Sequence, residues 1–304
     1  MRDEKLIGGA YATAAFGAWG VLPVYFYVMK HVPPLELLSH RVVWSVVLLA
    51  GLVTLLGKWP AIRAAVADPR TRLMLVGSTT FICINWLTFI WAVSAERVME
   101  ISLGYYINPL VNVVLGMLVL RERLSLAQGV AVALAAIGVA NLALTTTGLP
   151  WPSLVVALSF GVYGLIRKTT RLESIEGLFL ETSLVGPLAL GFLLVLGVQG
   201  SGQFTAAGPG QALLLVAAGV ITSLPLIWFA SGARRLSYIA VGFFQYLAPT
   251  GHFLLAVFAF GEPFSIDHAV TFAFIWTALA VFSVDRWRQA TRARRARRAA
   301  AAAQ

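Results

Sequence analysis

Ten apolar stretches follow one another in this chain, nine of about 20 residues, which is long enough to cross a bilayer as an α-helix, and a shorter sixth one. Their approximate limits are 6–29, 36–57, 73–95, 101–120, 126–146, 151–166, 176–198, 211–231, 238–260 and 265–284. Charged residues make up only 12% of the 304 residues, too few to cover the surface of a soluble fold. The sequence therefore predicts an all-α polytopic membrane protein with ten transmembrane helices.

The segments between these stretches are short. The longest loop, 58–72, and the tail, 286–304, are both too short to bury a core, so we predict no soluble catalytic domain. The first stretch is too long for a cleaved signal peptide. Cys83 is the only cysteine, which excludes an intrachain disulfide. We find no nucleotide loop, metal-ligand cluster or catalytic constellation, and predict no enzyme and no cofactor.

The basic residues indicate how the chain is oriented. If the ten stretches all cross the membrane, 20 of the 23 Lys and Arg residues lie on the side of the two termini. Lys30 and Arg97 lie on the other side, and Arg41 lies within a span. The positive-inside rule then places both termini in the cytoplasm. The net charge of +10 is thus an orientation signal, and we predict no nucleic-acid partner. The basic tail is either a lipid-binding segment or a topology anchor.

An internal repeat is visible in residues that recur after 140 positions. The recurring pairs are Glu36 and Glu176, Pro109 and Pro249, Glu122 and Glu262, and Ser125 and Ser265. The motif FGAWG at 16–20 also resembles FGVYG at 160–164. These spacings predict a unit of five helices, 1–147, followed by a second unit, 148–285, and the tail 286–304. Because five is odd, the second unit enters the membrane from the opposite side, as in many transporters.

Several motifs resemble one family. They are GAWG at 17–20, PVY at 23–25, ELLSHR at 36–41, Asn85-Trp86, SLGYYINP at 102–109 and QYLAPT at 245–250. Together they resemble the drug/metabolite transporter superfamily with its paired EamA domains, and within it the RarD-type permeases linked to chloramphenicol sensitivity. The resemblance covers about residues 6–285. It implies a permease that moves a small organic metabolite or drug-like solute across the bacterial inner membrane.

From this we expect a secondary transporter that works by alternating access as an exporter, with an importer or exchanger as the alternative. No ATP-binding motif is present, so transport is coupled to an ion such as the proton, is an exchange, or is passive. Two other classes stay open, an intramembrane enzyme acting on lipid and a non-transporting membrane scaffold. Monomer and homodimer are both compatible with the sequence.

Polar and aromatic residues inside the spans predict a binding cavity. The predicted substrate-binding residues are Trp19, Asn85, Trp86, Tyr105, Asn108, Tyr163, Gln245 and His252. Tyr105, Asn108 and Asn112 share one helical face, as do Gln245 and His252. An aromatic-walled cavity with a few hydrogen-bonding groups suits an amphipathic or aromatic solute. In the alternative interpretation the amides only join helices, and the aromatic rings anchor at the membrane interface.

Charged groups within a span are expensive and are therefore functional candidates. Arg41 is predicted to be an anion-binding or gating charge, or else to snorkel or pair with Glu36, Glu100 or Glu262. His40 either titrates or is packed. Glu181 is predicted to couple protons or form an inner gate, paired with Arg167, Arg121 or Arg234; the inverted repeat puts it in the leaflet opposite Arg41. Pro109 and Pro249 are predicted hinges, or plain kinks. Glycines such as Gly104 and Gly251 are predicted to allow close helix contact.

Overall fold

The computed structural model describes residues 2–95, 97–145, 151–206, 208–259 and 266–302, and these ranges are almost entirely helical, without a β-strand. The helices are α1 (Arg2–Val28), α2 (Pro34–Leu55), α3 (Trp59–Ala67), α4 (Pro69–Ser94), α5 (Val98–Leu118), α6 (Leu126–Thr145), α7 (Trp151–Thr169), α8 (Ser174–Gln199), α9 (Gln203–Ala206), α10 (Pro209–Arg235), α11 (Tyr238–Gln245), α12 (Leu247–Leu254) and α13 (Ile266–Ala302). A π-helical turn, Leu255–Ala259, extends α12.

Eight of the described helical segments are long and apolar enough to cross a membrane. They are α1, α2, α4, α6, α8, α10, the segment from α11 through the π-helical turn, and α13. Helix α5 adds a shorter apolar stretch, Leu103–Leu118, and α7 covers the predicted sixth stretch. The prediction of an all-α polytopic membrane protein is therefore confirmed, while the count of ten spans and the internal repeat remain predictions.

Large apolar side chains on the outside of the bundle fit contact with lipid. Leu55, Leu126, Leu188 and Val198 are 77–90% exposed, although they belong to long apolar helices. In water such a surface would drive aggregation, whereas lipid tails solvate it. Hydrogen bonds within each helix satisfy the backbone, as a bilayer requires.

Local sequence explains where several helices begin and end. Pro34 and Pro209 occupy first helical positions, where a missing N–H costs nothing. Gly200 ends α8 in the left-handed conformation, with a φ of 65° that favours glycine. The Ser237 hydroxyl caps α11 by accepting from the N–H of Ala240.

The predicted ninth span is interrupted, because α11 ends at Gln245 and α12 begins at Leu247. Pro249 has no N–H, so it cannot donate to the carbonyl of Gln245 four residues earlier. Pro109, by contrast, lies inside the continuous helix α5. The two prolines therefore differ in local structure, and their role as hinges remains a prediction.

The helices pack in a small set of pairs. The main pairs are α6 with α13, α5 with α7, α1 with α10, α2 with α8, α4 with α7, α2 with α10, α5 with α11, and α1 with α12. The predicted close contact at glycines is confirmed. A Cβ on Gly104 would lie 2.9 Å from the Ser153 oxygen, and one on Gly251 would lie 2.7 Å from the Cα of Gly20. These contacts bring α5 against α7 and α12 against α1.

Candidate functional site

Arg41 projects from the second turn of α2 and is half-buried. Its Nε donates a hydrogen bond of 2.9 Å to the hydroxyl of Thr222 on α10. The guanidinium carbon lies 5.5 Å from the ring centre of Phe26 and 5.9 Å from that of Trp86. The charge also interacts electrostatically with the phenol groups of Tyr25 and Tyr105. Three helices, α1, α4 and α5, thus place aromatic rings around one cation on α2.

Glu36, one of the partners predicted for Arg41, is engaged elsewhere. Its Oε1 accepts a 2.5 Å hydrogen bond from the backbone N–H of Gln203 and lies 3.9 Å from Nε2 of His40. This glutamate therefore fastens the start of α2 to α9, and the predicted pairing of Arg41 with it is wrong. The Glu100 side chain and Glu262, the other predicted partners, lie outside the described part of the structure.

His40 is buried and packed, as one of its two interpretations holds. Its ring stacks on Phe204, with ring centres 5.3 Å apart. Within the described residues neither ring nitrogen has a hydrogen-bond partner, although Glu36 approaches Nε2. The packing couples α2 to the short helix α9 at the same end of the bundle as Arg41.

Trp19, Tyr105 and His252 lie next to one another, on α1, α5 and α12. Nε2 of His252 is 2.9 Å from the backbone oxygen of Trp19, and its ring centre is 6.0 Å from that of Tyr105. All three side chains are half-buried. The indole of Trp19 also contacts Phe160, at 5.6 Å between ring centres. Since Tyr105 interacts with Arg41, these residues continue the ring of aromatic groups described above.

A buried amide network joins α5, α7 and α11. Nδ2 of Asn112 donates to Oε1 of Gln245, and Nε2 of Gln245 donates to Oδ1 of Asn108, both at 2.6 Å. Asn108 in turn donates to the backbone oxygen of Ala157 at 2.8 Å. These bonds fit the interpretation that the amides join helices. Whether Asn108 and Gln245 also contact a substrate remains a prediction.

Asn85 has a similar place between α4 and α7. Its Nδ2 lies 3.0 Å from the backbone oxygen of Val156 and 3.2 Å from Oγ of Ser159, so it donates to both. The side chain is buried. Its neighbour Trp86 points instead to Arg41.

Glu181 is buried in a polar cluster near the start of α8. Ser78 on α4 donates to its Oε1 at 2.6 Å, and the hydroxyl of Tyr163 on α7 donates to its Oε2 at 3.3 Å. Nη1 of Arg167 lies 3.7 Å from Oε1, which confirms the predicted pairing with that residue. Arg167 is itself buried and donates to the backbone oxygens of Glu173 and Ser174. The cluster ties α4, α7 and α8 together.

A second ionic contact joins the segment between α2 and α3 to the start of α8. Nζ of Lys58 is 2.6 Å from carboxylate oxygens of both Glu173 and Glu176. Hydrogen bonds to the two carboxylates raise the pKa of Lys58, and the Lys58 ammonium lowers the pKa of Glu173.

Sequence reasoning missed Ser78, Thr222, Phe26 and Lys58 as parts of these clusters. Hydroxyl and phenylalanine residues are common in apolar helices, so composition does not single them out. One signal was present, because Ser78 and Thr222 are 144 positions apart, like the repeated FGAWG-type motif.

Two further observations concern other possible binding sites. Among the described residues, no three His, Cys, Asp or Glu side chains come close enough together to hold a metal ion. A separate cleft of about 380 Å³ lies between the start of α6, α11 and α13, lined in part by Glu122, Ser125, Gln128 and Ser237. It contains none of the predicted site residues.

Comparisons with known proteins agree with this picture. Residues 6–144 match the EamA-like transporter family. An uncharacterized transporter of Vibrio cholerae serotype O1 is 46% identical over 98% of both chains. Protein RarD of Escherichia coli K12 is 42% identical over 91% of this chain and 94% of its own. A chloramphenicol-sensitive protein RarD of Pseudomonas aeruginosa is 32% identical over 91% and 94%. One crystal structure shares the fold, with a TM-score of 0.70 at 18% identity over 91% and 96% of the two chains.

Proposed function

Because this chain belongs to the RarD-type branch of the EamA-like transporter family, we propose that it is a secondary transporter for a small organic solute. It moves a metabolite or drug-like compound across the bacterial inner membrane, and it does so as an exporter by alternating access. An importer or exchanger of the same fold is the alternative. Both termini lie in the cytoplasm, since 20 of the 23 basic residues then face that side.

The pattern of helix packing supports an architecture of five helices repeated once in inverted orientation. The first unit comprises α1, α2, α4, α5 and α6, and the second α7, α8, α10, α11–α12 and α13. Exchanging the units converts the pair α1–α10 into α7–α4, and the pair α5–α7 into α12–α1, and these pairs all occur. The pairs α2–α8, α5–α11 and α6–α13 convert into themselves. Inverted repeats with this symmetry can exchange conformations between their halves.

The observation that carries the proposal is a difference in burial between residues related by the repeat. The related pairs are Trp19 and Tyr163, Arg41 and Glu181, Tyr105 and Gln245, and His252 and Asn112, at spacings of 140 or 144 positions. The first member of each pair is half-buried, whereas the second is at most 6% exposed. Equivalent positions are thus accessible toward one end of the bundle and closed toward the other. We interpret this as one of the two states of an alternating-access cycle.

In this state the closed end is the cytoplasmic end. Glu181, Ser78, Tyr163 and Arg167 hold α4, α7 and α8 together there. Away from that cluster, His252 contacts Tyr105 and the backbone oxygen of Trp19, and Tyr105 interacts with Arg41, so that half-buried residues of α1, α2, α5 and α12 form one connected group. We propose that this group lines the space that is open in this state. A rocking motion of the two units would close this space and break the Glu181 cluster. Glu181 is therefore proposed as the inner gate.

Flux measurements in proteoliposomes test the proposal. Vesicles are loaded with 3-phenylpropanamide, 3-phenylpropanoate or chloramphenicol, and release is followed with and without an imposed pH gradient. Protein-free vesicles supply the passive rate. Release faster than in protein-free vesicles supports a transporter. Release that is faster when the cytoplasmic face of the protein faces the vesicle lumen than in the opposite orientation supports an exporter. Rates equal to the control for every solute, with correctly folded protein in the vesicles, would contradict the proposal.

A further inference from the structure

We propose that Arg41, with the rings of Phe26 and Trp86, binds the carboxylate end of a flat, largely apolar organic anion. This inference rests on the proposed transport function and names the substrate class for it. The carboxylate pairs with the guanidinium, and the apolar part of the anion packs between the aromatic rings of α1, α4 and α5.

The first argument is the unused hydrogen-bonding capacity of Arg41. A guanidinium has five N–H donors, and the described structure uses only the Nε donor, toward Thr222. In the same part of the chain no carboxylate lies within ion-pair distance of this guanidinium. A charge within a spanning helix is costly unless it is paired or serves a function. Among the described residues, this half-buried cation therefore has no counter-ion, and we assign that role to a ligand.

The repeat provides an internal comparison. Glu181 lies 140 positions after Arg41, and Ser78 lies 144 positions before Thr222. Like Arg41, Glu181 is hydrogen-bonded to the hydroxyl residue of the neighbouring helix, but it also has Arg167 and Tyr163 as partners. The charge toward the closed end is thus neutralised by the chain itself. Among the described residues, the charge toward the accessible end has no such ionic partner, which leaves it able to pair with a ligand.

The surroundings of Arg41 select among anions. Phe26 lies 5.5 Å and Trp86 5.9 Å from the guanidinium carbon, and Phe26 continues to Phe89 at 6.0 Å between ring centres. Such rings favour a planar apolar group. Among the described residues, the titratable groups near Arg41 are the phenols of Tyr25 and Tyr105, so the guanidinium supplies a single positive charge there. One guanidinium matches a monovalent carboxylate in a two-pronged pair, whereas a phosphate dianion would keep an unpaired charge.

Calorimetric binding to purified protein in lipid nanodiscs tests the assignment. The ligands are 3-phenylpropanoate, its uncharged amide 3-phenylpropanamide, and phenyl phosphate. Wild-type protein should bind the carboxylate about tenfold or more tightly than the amide. Arg41→Gln should remove this preference and leave amide binding unchanged. Trp86→Leu should weaken both ligands by the same factor, because the ring contacts the apolar part.

Two further variants serve as controls. Lys30→Gln removes an exposed cation that lies 4.6 Å from the ring centre of Tyr27, and should leave the preference intact. Thr222→Val keeps the Arg41 charge but removes the hydroxyl that accepts the hydrogen bond from Nε of Arg41, and should reduce carboxylate affinity about threefold. Valine has nearly the same volume as threonine, so we expect Thr222→Val to fold. If Arg41→Gln does not fold, the carboxylate affinity of Thr222→Val tests the role of Arg41 instead.

The outcomes separate the anion site from transport itself. Equal affinity for carboxylate and amide in wild-type protein, no carboxylate binding, tighter binding of phenyl phosphate, or a full preference in Arg41→Gln would each overturn the assignment. Flux of an uncharged solute would persist in those cases if the protein is a transporter. A carboxylate preference lost in Arg41→Gln, together with no flux of any solute, would instead support the site and contradict the transport function.

Discussion

Arg41 and Glu181 stand 140 residues apart, and each is hydrogen-bonded to a hydroxyl residue on a neighbouring helix. The two hydroxyl residues, Thr222 and Ser78, are themselves 144 residues apart. The two opposite charges therefore each have a hydroxyl partner, but in the described structure only Glu181 also has an ionic partner, Arg167. The matching spacings of the two charges and the two hydroxyl residues fit the proposed repeat of five helices.

The Glu181 cluster should contribute strongly to stability. Glu181→Gln keeps an acceptor for Ser78 but leaves the buried Arg167 without its counter-charge. We expect this to reduce the free energy of unfolding by about 2–3 kcal/mol, measured by thermal or denaturant unfolding in detergent. Ser78→Ala, which removes one hydrogen bond and no charge, should cost about 1 kcal/mol. Equal stability of Glu181→Gln and wild type would argue against the ionic role of the cluster.

The same variant examines proton coupling. If Glu181 carries the proton, Glu181→Gln transports without any response to an imposed pH gradient, because the amide does not titrate. Flux in proteoliposomes at several gradients measures this. Unchanged pH dependence in Glu181→Gln would exclude Glu181 as the coupling group and leave it as a structural gate.

Glu122 should stabilise the start of α11. Its carboxylate oxygens accept from the backbone N–H groups of Tyr238 and Ile239, at 2.7 and 2.9 Å. Replacing it by Ala removes both partners at a helix N-terminus, so we expect a loss of about 1–2 kcal/mol in the free energy of unfolding. Glu4→Ala is the matched control, because Glu4 forms a largely exposed pair with Arg235 and should contribute little.

The contact of Lys58 with Glu173 should depend on pH in two directions. Because the pKa of Glu173 is lowered, its contribution is present above the ordinary value of 4.5 and is lost as the pH falls through the lowered pKa. Because the pKa of Lys58 is raised, its contribution is present below 10.5 and is lost as the pH rises through the raised pKa. Amide hydrogen exchange at 58–62 and 174–177 should therefore be slowest between these limits.

A control variant isolates this effect. Lys58→Met should make amide exchange in both segments faster at neutral pH. After correction for intrinsic exchange rates, the protection of this variant should no longer fall at low and at high pH. If the corrected protection of wild type and Lys58→Met varied with pH in the same way, the contact would have no such role.

The two prolines should differ in their effect on transport. Pro249→Ala restores an N–H opposite the Gln245 carbonyl and should make α11 and α12 continuous, whereas Pro109→Ala changes a helix that is already continuous. We expect the maximal flux rate to fall several-fold in Pro249→Ala and little in Pro109→Ala, with both proteins folded. A larger effect in Pro109→Ala would assign the hinge to α5 instead.

The sequence was sufficient to predict the helical membrane architecture. Long uncharged apolar stretches favour the bilayer, where a helix satisfies all backbone hydrogen bonds within the segment. The sequence also named Arg167 as one of three candidate partners for Glu181, because the predicted inverted repeat separates Glu181 from Arg41 in depth, and the structure contains that pair. The hydrogen-bond partners of the buried amide side chains could not be predicted from the sequence. The spacing of Asn108 and Asn112 predicted a shared face, but only the packing of α5 against α11 decides that Gln245 covers that face.

The surroundings of Arg41 show the same limit. Its cost within a span marked it as a functional candidate, and the alternative was that it snorkels or pairs with an acidic residue such as Glu36. In the structure that carboxylate is held by the backbone of Gln203. A contact between the starts of α2 and α9, which are distant in sequence, decided the outcome, and no local pattern encodes it.

The central claim is that the accessible end and the closed end exchange during transport. Trp86 is half-buried near Arg41, and Ala230, 144 positions later, is 1% exposed. In a Cys83→Ala background, Trp86→Cys and Ala230→Cys are labelled with a membrane-impermeant maleimide from each side of oriented vesicles. Without solute, Trp86→Cys should react from the outside and Ala230→Cys should be protected from both sides. During flux of a transported solute, Ala230→Cys should become reactive from the cytoplasmic side while labelling of Trp86→Cys slows. Protection of Ala230→Cys that persists unchanged during measurable flux would contradict alternating access.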